Sequence, residues 1–543
     1  MKFDFLPLAL ATAAALTGCA LPAPSTAPAP APAIASRVLL LSVDGLHQQD
    51  LANCLAAKTC PAISSLAQTG VTYTNALTPG LSDSFPGLAA LLTGGSAKST
   101  GLFYDVTYDR TLYSPADNTC SGPQGWNIVL DGTTGFDGIN GGALTHLDGG
   151  GKFNPQSIPH AKVNGRCVAV YPHNYLQTNT IFEVVKERIS GARTAWADKH
   201  AWAYDWVNGP SGKGVDDLPR TEIDSIDAAT GTSYADRHTH TQVFDNLHVQ
   251  TILHQINGKD STGLHTAAVP TVFGANFQTL SVAQKALQAN GGGYTDAHFT
   301  PGPQVTEAIA YVDASVAKIV AELKAKNLLN STLIIVTAKH GQSPGDFSKL
   351  VKVGDTLTAL MQANGYVDAK GKWGQHATTS ERLNDGTGLS GTGAIETDTI
   401  GLIWLKDQNQ LAAALATLNA NLGCKPPGIC ADGPQAQILS GAALVSRFGD
   451  PALGRTPDII VQPNPGVIYS GSKKKDAEHG GSSPDDTHVA LLVSLPSLAA
   501  KTVTSAIVTT QVAPTILAAL KLDPALLNSV KAEGTRVLPG LGF

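Results

Sequence analysis

The chain has 543 residues, with 37 Lys and Arg against 43 Asp and Glu, a formal net charge of −6 and only 15% charged residues. Nothing in that balance forms a basic footprint, so a stable nucleic-acid partner is not expected. The length leaves room for a large core with an inserted second lobe, and 55 glycines fit a loop-rich α/β chain.

The N-terminus reads as an export segment. Lys2 supplies a positive start, Leu6 to Leu16 an apolar run of signal-peptide length, and Leu16-Thr17-Gly18-Cys19 a cleavage site. The tetrapeptide resembles a bacterial lipobox, which implies Cys19 as the lipidated first residue of the mature protein. Ala20 rather than Asp follows it, so the expected product is a periplasmic or cell-surface lipoprotein, with the outer membrane favoured over the inner. An ordinary secretory signal with an incidental Cys is the alternative. No other segment reaches the ~18 uninterrupted apolar residues of a spanning helix. Residues 20–36, rich in Pro and Ala, form a tether unable to bury a core, and structure is expected from Arg37.

In chain order, Val38–Val43 is an apolar run of strand length ending in Asp44-Gly45. The turn Gly80-Leu81-Ser82-Asp83-Ser84-Phe85-Pro86-Gly87 then presents hydroxyls just before a helical run, Leu88–Leu92. Gly-rich residues 121–152 read as a surface excursion. Strand-like runs follow at Cys167–Val170, Thr194–Ala197, Thr271–Ala275, Leu333–Thr337, Ile459–Val461 and Val489–Val493, and helical patterns at Asn179–Ile189, Val305–Lys326 and Val512–Leu520. This alternation predicts an α/β fold: a mostly parallel central sheet with helices on both faces. Residues 345–455 change character and read as a small α+β lobe inserted into a core of residues 37–344 and 456–543. Apart from Cys19, six cysteines remain; spacing favours Cys54–Cys60 and Cys424–Cys430 as disulfides and leaves Cys120–Cys167.

A carboxylate at a strand end and a hydroxyl at a helix start suggest a metal-activated nucleophile attacking an anionic ester. Two His-Gly pairs extend the pattern: Lys339-His340-Gly341 after the strand Leu333–Thr337, and Glu478-His479-Gly480 before Val489–Val493. With Thr93-Gly94, Thr100-Gly101-Leu102, Tyr108-Asp109 and Ala513-Pro514-Thr515-Ile516-Leu517 in the same order, the chain resembles the type I phosphodiesterase/nucleotide pyrophosphatase branch of the alkaline phosphatase superfamily from Arg37 to Pro539. The resemblance implies an alkaline-phosphatase-like fold. It also implies two zinc ions about 4 Å apart, one of which activates the nucleophile. Carried over by position, Ser84 is that nucleophile and becomes phosphoserine. Asp44, Ser84 and His340 belong to the activating metal, and His479 to the metal that binds the phosphoryl oxygen.

Three positions depart from the family pattern. Lys339, in Ala338-Lys339-His340-Gly341, stands where the family has a carboxylate ligand. The family's Asp-x-x-x-His pair has no clean match; Asn276, or Asp296 with His298, are the candidates for its metal-binding place. Asp105 falls where an Asn normally hydrogen-bonds phosphate. The expectation is that Lys339 replaces part of a metal's charge by pairing with Asp105 or Asp44, leaving one tight metal site. Lys199, in Trp196-Ala197-Asp198-Lys199-His200, resembles the substrate-facing lysine loop of phosphonoacetate hydrolases and is expected to contact substrate.

The expected activity is hydrolysis of phosphoric esters, of phosphodiester or nucleotide type, with one or two divalent ions, zinc first. A phosphonate hydrolase and a lipid-anchored binding protein on a degenerate hydrolase scaffold are the alternatives. A sulfatase is disfavoured because Leu88 stands where Cys/Ser-x-Pro-x-Arg requires Arg.

Overall fold

A computed structural model describes residues 34–136, 146–368 and 391–543. The export segment with Cys19, and all of the tether except its last residues, lie outside the described residues. The main sheet has seven strands: β1 (Arg37–Val43), β2 (Gly70–Leu77), β3 (Val272–Phe277), β4 (Thr332–Thr337), β5 (His488–Ser494), β6 (Lys501–Val503) and β7 (Ile507–Val508). Their order is β6-β2-β5-β4-β1-β3, with β7 also on β2. β3, β1 and β4 run parallel, as do β2, β6 and β7, while β5 is antiparallel to both of its neighbours.

The central strands are apolar without a break because both faces are covered. Successive side chains still alternate between the faces. Val38 and Leu40 of β1, with Leu333 and Ile335 of β4, enter one core. Leu39, Leu41 and Val43, with Ile334 and Val336, enter the other. The first core is closed by α1 (Ser84–Thr93), through Leu88, Leu91 and Leu92, and by the helix Val512–Ala519. The second is closed by the helix His238–Ile256 and by Pro303–Ala325, whose Val305, Ala308, Val312, Val316, Ile319 and Leu323 recur at helical spacing. Each such side chain contributes roughly 1.5–3 kcal/mol on burial, so neither face tolerates a polar slip in register.

Four parts differ from the sequence reading. The strand Ile459–Gln462 does not join the main sheet. It lies in a four-stranded antiparallel sheet of order Ala394–Thr397, Gly401–Trp404, Ile459–Gln462, Gln437–Ser440. The predicted strand Cys167–Val170 is the second arm of a surface hairpin, Arg166–Ala169 on His160–Val163, and its alternating exposure leaves it nothing to bury. Thr194–Ala197 lies along β3 through single bridges only, with Ala195 and Ala197 donating to the carbonyls of Val272 and Gly274 at 3.0 and 3.2 Å. β2, in the middle of one side of the sheet, was hidden by its threonines. All three disulfides, Cys54–Cys60, Cys120–Cys167 and Cys424–Cys430, are formed as the spacing predicts.

Candidate active site

The carboxyl ends of β1, β3 and β4 converge, which is where open α/β sheets place ligands. β1 delivers Asp44, β3 delivers Asn276 and then Gln278, and β4 leads into Lys339 and His340. The segment alongside β3 ends in Asp198 and Lys199. α1 brings Ser84 as its first residue, capped by Asp83, whose Oδ1 accepts the Phe85 amide at 3.0 Å. Gly87 allows this approach: a Cβ there would lie 2.1 Å from the carbonyl oxygen of Lys339.

Ser84 Oγ sits 3.1 Å from His340 Nε2, 3.3 Å from Asp44 Oδ2 and 2.9 Å from Lys199 Nζ. His340 Nδ1 lies 2.7 Å from the carbonyl oxygen of Gly341. That contact places the ring proton on Nδ1 and leaves the Nε2 lone pair facing the Ser84 hydroxyl. Burial depresses the His340 imidazole below its ordinary value, only partly offset by Asp44. His479 stacks on His340 with ring centroids 3.9 Å apart, and burial and the neighbouring His340 hold it well below the usual range.

Lys339 is fully buried. Its Nζ donates to Asp198 Oδ1 at 3.0 Å and to the Tyr204 hydroxyl at 3.0 Å, and lies 3.6 Å from Asp44 Oδ2. The expected pairing with Asp44 is therefore present, but Asp198 is nearer and Asp105 is not among its ion-pair partners. Lys199 Nζ is 3.5 Å from Asp44 Oδ2 and 3.5 Å from Gln278 Oε1. Burial alone would raise the Asp44 carboxyl, yet Lys339, His340 and Lys199 together hold it well below the usual carboxylate range. Asp105 is only partly buried, and its carboxyl is pushed up to about 7 by burial and by Asp83 and Asp131.

Two sequence-predicted metal ligands take other roles. Asn276 turns its amide nitrogen to Asp44 Oδ1 at 2.9 Å and to Ser42 Oγ at 3.0 Å, and its oxygen to Lys339 Nζ at 3.3 Å. With the amide oriented to satisfy these neighbours, Asn276 is a donor to the Asp44 carboxylate. Asp296 is exposed and holds its own loop, accepting the His298 and Thr300 amides at 2.8 and 3.1 Å. Asp485, Asp486 and His488, near His479 in sequence, bond instead to Gly345, to Thr399 and Ser483, and to the Thr74 carbonyl. Sequence reasoning missed Gln278, whose Nε2 donates to Asp44 Oδ2, and the anchoring roles of Asp198 and Tyr204. Asp198 and Gln278 each sit just past a strand-like run, which was the available signal.

The family profile described as type I phosphodiesterase/nucleotide pyrophosphatase matches residues 38–486. The chain belongs to this family. It is thereby a phosphoric ester hydrolase of the alkaline phosphatase superfamily. Among solved structures, murine ectonucleotide pyrophosphatase/phosphodiesterase 5 superposes with a TM-score of 0.52 at 14% identity, over 90% of this chain and 96% of that one. An inactive variant of the same murine protein in complex with AMP matches equally, at TM-score 0.52 and 14% identity with the same coverage. No curated protein matches this chain in sequence.

Members of this family typically depend on divalent metal. Asp44 Oδ2, Ser84 Oγ and His340 Nε2 lie 3.1, 3.3 and 3.5 Å from one another, a triangle that one tetrahedral ion spans. The groups already around it do not fit an ion. One bound about 2 Å from Asp44 Oδ2 would lie no farther than about 5.6 Å from either ammonium nitrogen. At an effective dielectric of about 20, the two together would repel it by at least about 12 kcal/mol, cancelling most of the roughly 17 kcal/mol of attraction from that oxygen. The oxygen it needs already faces Gln278 Nε2, Lys199 and Lys339. Among the described residues, the one group of three acidic or imidazole side chains with donor atoms within 4.8 Å of one another is His200, Glu222 and Asp224, apart from Ser84.

Proposed function

We propose that this protein is a serine-based hydrolase of small phosphoric esters, acting through a phosphoserine at Ser84. One observation carries the reading: Ser84 Oγ, at the start of a ten-residue helix, is bracketed by an imidazole lone pair on one side and an ammonium donor on the other. In the first step the Ser84 hydroxyl proton passes to His340 Nε2 while Oγ bonds to phosphorus. The P–O bond to the leaving group breaks, and that oxygen keeps the electron pair and then takes a proton from His340 or from water. In the second step water attacks the phosphoserine and gives its proton to His340. Ser84 Oγ departs with the bonding pair and is reprotonated. Lys199 offsets the negative charge on Oγ in both halves.

AMP, bound by the murine neighbour, makes nucleoside monophosphates and their esters the first substrates to try. The small lobe is proposed to shape the leaving-group side. The enzyme is further proposed to be exported and held to the outer membrane through Cys19, an oxidising setting with which three disulfides agree. Turnover of bis-p-nitrophenyl phosphate tests the core of the reading. Ser84→Ala should lower kcat by at least about a thousandfold, and radiolabelled phosphate should be trapped on the Ser84 peptide of the unmodified enzyme. Unchanged turnover in the variant would remove Ser84 as the nucleophile.

A further inference from the structure

We infer that the ammonium groups of Lys199 and Lys339 take the place of the divalent ions on which this family typically relies, so that this hydrolase works without a bound metal. The inference rests on the Ser84 reading above and adds to it the source of positive charge.

The chemistry needs a cation beside the attacking oxygen, where an activating ion would sit, and that place is filled. Lys199 Nζ is 2.9 Å from Ser84 Oγ and 3.5 Å from Asp44 Oδ2, so it touches the reacting atom and the carboxylate that an activating ion would bridge. Its side chain is 14% exposed, so it reaches the site from the open side. Lys339 is a positioning residue. All three of its N–H donors are matched, by Asp198 Oδ1 at 3.0 Å, the Tyr204 hydroxyl at 3.0 Å and the Asn276 oxygen at 3.3 Å, and the ammonium also lies 4.6 Å from the Tyr204 ring centroid.

The neighbouring substitutions agree with this. Amide side chains, Asn276 and Gln278, approach Asp44 from β3, and both direct N–H donors at its oxygens. Carboxylates there would have called for a metal; amides satisfy Asp44 without one. Each ammonium lies beside a buried carboxylate, Lys199 beside Asp44 and Lys339 beside Asp198 and Asp44, so neither cation is left without a partner.

The test uses the full chain purified without added metal. Turnover of bis-p-nitrophenyl phosphate should be unchanged by a strong chelator, and mass spectrometry should find no stoichiometric transition metal. Lys199→Ala should lose about 10²–10³-fold in kcat and not regain it with zinc or manganese. Zinc titration by calorimetry should show no saturable uptake by the His200→Gln protein, in which the separate His200, Glu222 and Asp224 group is broken. The double variant Lys199→Ala/Lys339→Asp, which exchanges a cation for a carboxylate, should gain uptake, a gain that simple misfolding does not produce. Activity lost to chelator and restored by zinc or manganese would overturn the proposal, as would stoichiometric zinc uptake that persists in His200→Gln. A failure of the Ser84 reading looks different: turnover persists in chelator but is equally high in Ser84→Ala. The zinc titration is scored independently of that outcome.

Discussion

Asp44 meets Asn276, Gln278, Ser84 and two lysines with two oxygen atoms, and that crowding explains why the chemistry was only half legible one residue at a time. Asp44, Ser84 and His340 announce themselves because each follows a strand or opens a helix with a Gly nearby. Asn276 and Asp296 mislead because a carboxylate or amide in a loop looks the same in sequence whether it binds a ligand or ties off its own turn. Lys339 was legible as an anomaly, but its main partner Asp198 is 141 residues away and no pattern joins them. Beside this cluster, His200 Nδ1 meets Glu222 Oε1 at 2.6 Å. Burial would lower the imidazole, but Glu222 raises it from 6.5 to about 9, while burial pushes the Glu222 carboxyl up and His200 offsets only part of that. A histidine with a raised folded-state value stabilises fully below pH 6.5 and loses that contribution as pH rises through about 9. Thermal unfolding should therefore show Tm falling between pH 7 and 10, and the fall should be smaller in His200→Gln.

Among the elements, α1 determines whether the nucleophile is in reach. Its first turn lies against the backbone of Lys339, and only Gly87 leaves the space. Gly87→Ala would force the helix away from β4, at a cost of about 1–3 kcal/mol for an overpacked contact. The site should suffer more than the fold: kcat should drop severalfold or more in a protein whose urea midpoint moves only in proportion to that cost. Parallel kinetics and urea titrations check this. β1, β3 and β4 were readable because strands buried on both faces leave unbroken apolar runs. β2 was not, since Thr72 and Thr74 are only partly buried and break the run while Val71 and Tyr73 carry the burial. The hairpin arm at Arg166–Ala169 failed the other way, being a β-rich run with no face to cover.

At the scale of the molecule, the α/β architecture was legible from alternation, but the sheet to which each strand belongs was not. A strand shows its apolar character in sequence and not its partner, so Ile459–Gln462 was equally compatible with either sheet. Covalent links add to the packing. Cys120–Cys167 spans 47 residues around the excursion that carries Trp126–Val129, and closing a loop of that length stabilises by about 4 kcal/mol in the chain-entropy model. Cys120→Ser/Cys167→Ser should lower unfolding free energy by up to that amount in a denaturant titration, while Cys54–Cys60, spanning only 6 residues, should matter less.

β1 runs from Arg37 to Val43, so the described residues just ahead of it and the catalytic mouth lie at opposite ends of a strand roughly 23 Å long. Whatever is joined ahead of Ile34 is therefore attached at the end of that strand remote from the chemistry.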